Sequence, residues 1–116
     1  MDEKGFREFI RNGKKAPPGI SEKTIRSHIR IVREFDGFLS GRGRKGGAAK
    51  AKQSDVRGFI RHLIRDGRLD PDKLLGLLRY SRFAGNNDAV ALLLEVLNSD
   101  QLTSLNESFG KRYGKS

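Results

Sequence analysis

Apolar positions recur along this chain at the three- and four-residue steps of a helix, with polar breaks between the runs. Phe6, Phe9 and Ile10 predict a short first helix, stopped by Gly13 and the pair Pro17 and Pro18. Ser21 then stands as N-cap of a second helix, its hydroxyl able to accept a first-turn backbone N–H, and Glu22 sits well against the helix dipole. Ile25, Ile29, Val32, Phe35 and Leu39 line one face of it. QSDVRGFIRHLIRDG predicts a third helix, capped by Ser54 or Asp55, with Val56, Phe59, Ile60 and Leu63 as the buried stripe.

In LDPDKLLGLLRYSRFAGNN, Asp70 at the N-cap, Pro71 at the first helical position and Gly85 past the end bracket a fourth helix. Its Leu74, Leu75, Leu77, Leu78 and Phe83 spread round much of the circumference, which predicts a central place in the fold. DAVALLLEVLN, capped by Asn87 or Asn86, is apolar nearly all round apart from Glu95; such a helix is either wholly buried or meets another chain. Leu102, Leu105 and Phe109 mark a short last helix before a frayed tail. No hairpin turn sits between strand-like runs. The expected fold is therefore all-α, a compact orthogonal bundle of five or six short helices forming one domain over 1–116. Residues 1–19 supply the N-terminal helix and a Pro-containing linker, 20–110 the helical core and 111–116 a flexible tail.

The polar faces carry the second signal. Lys23, Arg26, Arg30 and Arg33 recur three, four and three residues apart, nearly opposite the apolar stripe of the second helix. Arg57, Arg61 and Arg65 share an exposed side of the third, at a spacing where like charges repel slightly, so something outside the helix is expected to compensate them. Between the two helices lies GRGRKGGAAKAK, with Arg42, Arg44, Lys45, Lys50 and Lys52, no acid and no large apolar side chain. That stretch is expected to be mobile in the free protein and to order on a bound polyanion. Lys and Arg number 24 against 14 Asp and Glu, for a net charge of +10, so a polyanionic partner leads the list, nucleic acid first. Guanidinium groups pair with phosphate oxygens, and these cations together form the candidate DNA-binding set.

Composition and spacing argue against other chemistries. Without cysteine, no disulfide and no thiolate metal site forms. His28 and His62 lie on different helices with no metal-ligand spacing around either, and each is expected to be a surface or half-buried residue. Asp70 with Asp72 and Asp2 with Glu3 fall at helix starts, where capping explains them. No strand precedes the glycines at Gly41, so a phosphate-cradling nucleotide loop is not expected, nor is any cofactor. The N-terminus MDEKGFREFI is too charged for a signal peptide, and the apolar run Ala89 to Leu94 is far short of the roughly 20 residues of a membrane span. A cytoplasmic, nucleoid-associated, non-enzymatic protein is expected.

Taken in order, TIRSHIRIVREFDGFLSGRG, SDVRGFIRHLIRDG and LLGLLRYSRF resemble the core-binding domain of tyrosine recombinases and phage integrases, a small helical SAM-like domain. The resemblance covers about residues 21 to 84 and rests on Thr24, Phe35, Phe38 and Leu39, then Asp55, Phe59 and Leu63, then Leu78, Arg79, Tyr80 and Phe83. It implies a domain that clamps one side of a DNA duplex while a following domain supplies catalysis. That domain's Arg, His and Tyr set is absent here, so neither Tyr80 nor Tyr113 has the partners of a nucleophile. A rival expectation is a helical interaction domain that docks a protein partner, or a second copy, through Val90, Leu93, Leu94 and Leu97. An RNA-binding module shares the electrostatics but lacks the exposed aromatic pair that stacks on single strands.

Overall fold

The computed structural model describes residues 1–12 and 20–98, and within them every regular element is helical. The order is α1 (Glu3–Asn12), α2 (Glu22–Gly41), a single 3-10 turn (Gly47–Lys50), α3 (Gln53–Arg65), α4 (Pro71–Ala84) and α5 (Asn87–Leu97). The last helix expected around Leu102 to Phe109, and Tyr113, lie outside the described residues.

Local chemistry sets most helix ends. Ser21 Oγ accepts from Thr24 N at 3.1 Å and Asp70 Oδ1 from Asp72 N at 2.7 Å, each meeting a first-turn donor that has no partner within its helix. Of the two asparagines, Asn86 caps α5, taking Ala89 N at 3.2 Å. Gly85 closes α4 in the left-handed conformation, at φ +74°. α3 departs from expectation at its start. Its N-cap position is Lys52 rather than Ser54 or Asp55, and Asp55 instead reaches back from the third helical position to accept Lys52 N at 3.0 Å.

Five short helices pack into a compact bundle around one core, with α4 in contact with α1, α2 and α5. Phe6 of α1, Ile25, Val32 and Leu39 of α2, Phe59 and Leu63 of α3, Leu74 of α4 and Leu93 of α5 are all fully buried in it. Aromatic rings join the elements: Phe6 meets Tyr80 edge-on at 5.1 Å between centroids, and Phe35 stacks on Phe59 at 4.8 Å. α2 and α4 approach closely at Gly76, where a Cβ would lie 2.8 Å from His28 Nδ1 and 3.0 Å from Ile31 Cγ2.

His28 is not the surface or half-buried residue expected; it is 2% exposed. Arg79 Nη1 donates to its Nε2 at 2.7 Å, which assigns the ring proton to Nδ1, a buried atom with no hydrogen-bond partner. Burial first, and the Arg79 charge second, push the imidazole from 6.5 down to about 4. The folded state therefore holds His28 neutral while the unfolded chain protonates it. Stability contributed by this group is complete above about pH 6.5 and falls as pH drops toward about 4. Between about pH 7 and pH 5 the loss should be on the order of 2 kcal/mol in urea unfolding, and His28→Gln should flatten it. An unchanged pH dependence in His28→Gln would show that another group carries it.

Candidate nucleic-acid interface

The GRGRKGGAAKAK stretch is not a slack joint. Gly46 and Gly47 take successive left-handed conformations, at φ +91° and +62°, and turn the chain so that Ala48 and Ala51 enter the core. Three polar side chains from elsewhere hold it there. Asp36 Oδ1 of α2 accepts Ala48 N at 2.7 Å, and Asn86 Nδ2 donates to the carbonyls of Ala48 and Ala51 at 3.2 and 2.9 Å. Asp55, 1% exposed, accepts Arg44 Nε at 3.0 Å as well as Lys52 N. The expectation of a mobile segment took Gly, Ala and Lys composition as a sign of disorder. It missed that small residues also let a backbone pass close over a core, where distant acceptors and donors complete its hydrogen bonds. Asn86→Ala removes both the α5 cap and the two loop contacts, and should lower unfolding stability by about 2 kcal/mol. Faster amide exchange should accompany this around Ala48 and Ala51; protection there equal to wild type would show that the loop holds without Asn86.

With the loop folded, its cations have definite places. Arg42 lies 5.4 Å over the Phe38 ring, and its Nη1 rests against Gly58 of α3, at 2.2 Å from where a Cβ would stand. Gly58 is three residues before Arg61 and seven before Arg65, so Arg42 joins the α3 stripe on one side of that helix. Arg57, Arg61 and Arg65 are exposed, and none forms an ion pair among the described residues. Lys45, Lys50 and Lys52 are likewise exposed and without ion pairs among those residues. Arg44 differs: its guanidinium is committed to the buried Asp55.

The α2 stripe is less free. Lys23, Arg26, Arg30 and Arg33 all face solvent, but α1 packs alongside and answers part of their charge. Arg33 pairs with Glu3, while Glu22 takes Arg7 and Arg11 of α1 together with Arg26, whose Nε stands 3.6 Å away. Hydrogen bonds from Arg7 and Arg11 push the Glu22 carboxyl from 4.5 to about 2. At the other end, Arg68 grips Glu34 through two bonds, at 3.0 and 2.6 Å, holding that carboxyl below its ordinary value. Asp66 stands 3.4 Å from Arg68 and 3.5 Å from His62 Nε2. A neutralised seam thus lies beside the α2–α3 junction. The pairings of Glu3 with Arg33, of Arg7 and Arg11 with Glu22, and of Arg68 with Glu34 have no local signature, because each crosses between elements.

No family model, curated protein or solved structure matches this chain. Among the described residues no cluster of His, Asp and Glu could hold a metal ion, and no helix is long and apolar enough to cross a membrane. On α5, Leu93 is 1% exposed and part of the core, so it is not available to a docking partner. Val90 and Leu97 are half-buried against that core, and Leu94 is 36% exposed.

Proposed function

We propose that this chain is a non-enzymatic module that binds duplex DNA by its backbone, in the manner of the SAM-like core-binding domains that residues 21–84 resemble. The observation that carries this reading is the unpaired cationic stripe of Arg57, Arg61 and Arg65 on α3, which Arg42 joins at Gly58, with Lys45, Lys50 and Lys52 as further exposed cations of the preceding loop that form no ion pair among the described residues. Guanidinium groups without carboxylate partners retain their full capacity for phosphate oxygens, whereas paired ones must first give up an ion pair. Lys23 and Arg30 extend the surface along α2; Arg26 and Arg33, already paired, contribute less, and Arg44 serves mainly to hold the loop.

Duplex is favoured over single-stranded nucleic acid by the aromatic side chains. Phe6, Phe35, Phe59 and Tyr80 are buried, and Phe9, Phe38 and Phe83 pack against them with Arg42 covering Phe38, which leaves no exposed pair of Phe or Tyr rings among the described residues to stack on bases. Catalysis, on this reading, belongs to a separate domain or protein. The deciding experiment is a titration of a fluorescent duplex over a range of salt; absence of binding at low salt would overturn the proposal.

A further inference from the structure

A second feature lies away from the α3 stripe, where α2 and α4 diverge at their N-terminal halves. A groove of about 330 Å³ opens there, lined by Ile20, Lys23, Thr24, Ser27, His28, Asp72, Leu75 and Arg79. Its floor and walls combine apolar surface from Ile20 and Leu75 with the hydroxyls of Thr24 and Ser27. Arg79 is the unusual member. It is half-buried, and its hydrogen-bond partner among the described residues is His28 Nε2, a neutral acceptor. No carboxylate stands within ion-pair distance of it among those residues.

A guanidinium carries five N–H donors in a planar fork, so one bond to an imidazole leaves most of that capacity unused. Half-burial removes part of the surrounding water and pushes the Arg79 guanidinium below its ordinary value, while its remaining N–H groups are not sealed in the core. Asp72, two turns earlier on the same helix, attracts that charge without forming an ion pair. An anion seated between Arg79 and Lys23 would supply a charged acceptor in place of water, with the two hydroxyls as further donors.

We propose that this groove binds a phosphate group carried by a small polar molecule, with Arg79 and Lys23 as its charged contacts and Thr24 and Ser27 as hydroxyl donors. A volume near 330 Å³ suits a ligand of mononucleotide size. Arg79 has a structural role toward His28 as well, so the site couples ligand to the α2–α4 contact. Apart from Lys23, none of these residues belongs to the proposed DNA surface.

The test is a titration of the full chain with adenosine 5′-monophosphate, followed by amide and guanidinium NMR shifts, with adenosine as the phosphate-free control. Saturable shifts should appear at Thr24, Ser27, Leu75 and the Arg79 Nε–H, with a Kd of about 1 mM or below, and adenosine should produce none. Arg79→Gln should weaken binding by about tenfold, and the exposed Lys23→Gln, which leaves the core untouched, by about threefold. Asp72→Asn should strengthen it by removing a like charge from the ligand's surroundings. Shifts unchanged in Lys23→Gln and Arg79→Gln, or no saturation below about 20 mM, would overturn the site. A duplex added to the saturated protein separates two sources of phosphate: displacement identifies the nucleic-acid backbone as an occupant, and simultaneous binding identifies a free phosphorylated compound. Nucleotide binding in a protein that takes no duplex would leave this site standing while the DNA reading fell.

Discussion

Duplex affinity should fall steeply with salt, and Arg57→Ala combined with Arg61→Ala should reduce it by about tenfold or more at low salt, with little regard for sequence. The physical ground is counterion release: each phosphate neutralised lowers the slope of log K against log salt by about 0.9. Removing two unpaired arginines should therefore make that slope shallower by about 2. Both residues lie on the solvent side of α3, away from Phe59, Ile60 and Leu63, so the fold should survive their loss. Arg82→Ala, which removes an exposed cation in the last turn of α4, serves as the control for Arg57→Ala alone and should change neither quantity by comparison. Arg33→Ala should have a smaller effect than Arg57→Ala, because Arg33 is already paired with Glu3. A double variant that binds as well as wild type would remove α3 from the interface, whatever the net charge of the protein.

The second large effect concerns the α2–α4 contact. Gly76→Ala places a methyl group 2.8 Å from His28 Nδ1 and 3.0 Å from Ile31 Cγ2, both on buried side chains that cannot swing into solvent. Overpacking of this kind typically costs about 1–3 kcal/mol, partly offset by the roughly 1 kcal/mol that alanine gains over glycine inside a helix. The net expectation is a loss of up to about 2 kcal/mol for Gly76→Ala and about 3 kcal/mol or more for Gly76→Val, whose branched side chain finds even less room. For a chain near this size, each kcal/mol lowers the melting temperature by about 4–8 °C. A double-mutant cycle with His28→Ala identifies the cause. If the clash is with the imidazole, Gly76→Ala should be much less damaging once that ring is gone. Equal losses in both backgrounds would place the conflict elsewhere, with Ile31 the remaining candidate.

Gly76 also illustrates where reading along the chain fails. In LLGLLRYSRF it is one small residue among leucines, and nothing within four positions of it says that another helix passes overhead. The helix itself was legible because its start at Asp70 and Pro71 and its end at Gly85 are local events, settled by hydrogen bonds over two to five residues. The same holds for Ser21 and for the apolar stripes of α2 and α3. Reading the Gly41–Lys52 stretch failed for the opposite reason. Its own side chains offer no hydrogen-bond acceptor and little apolar surface, while the side chains that hold its backbone in place come from Asp36, Asp55 and Asn86.

The candidate surface divides in the same way. Sequence alone determined that this protein is helical, that its charge is strongly positive, and that the cations of α2 and α3 lie on the faces opposite their apolar stripes; all three follow from composition or from the helical repeat. Only the tertiary structure decided which of those cations are free. Arg33 meets Glu3 across 30 residues, Asn86 holds Ala51 across 35, and Arg79 meets His28 across 51. A side chain's partner at such separations is set by how helices pack. Helical periodicity fixes the direction in which a charge points along its own axis, but not what the neighbouring helix brings to meet it.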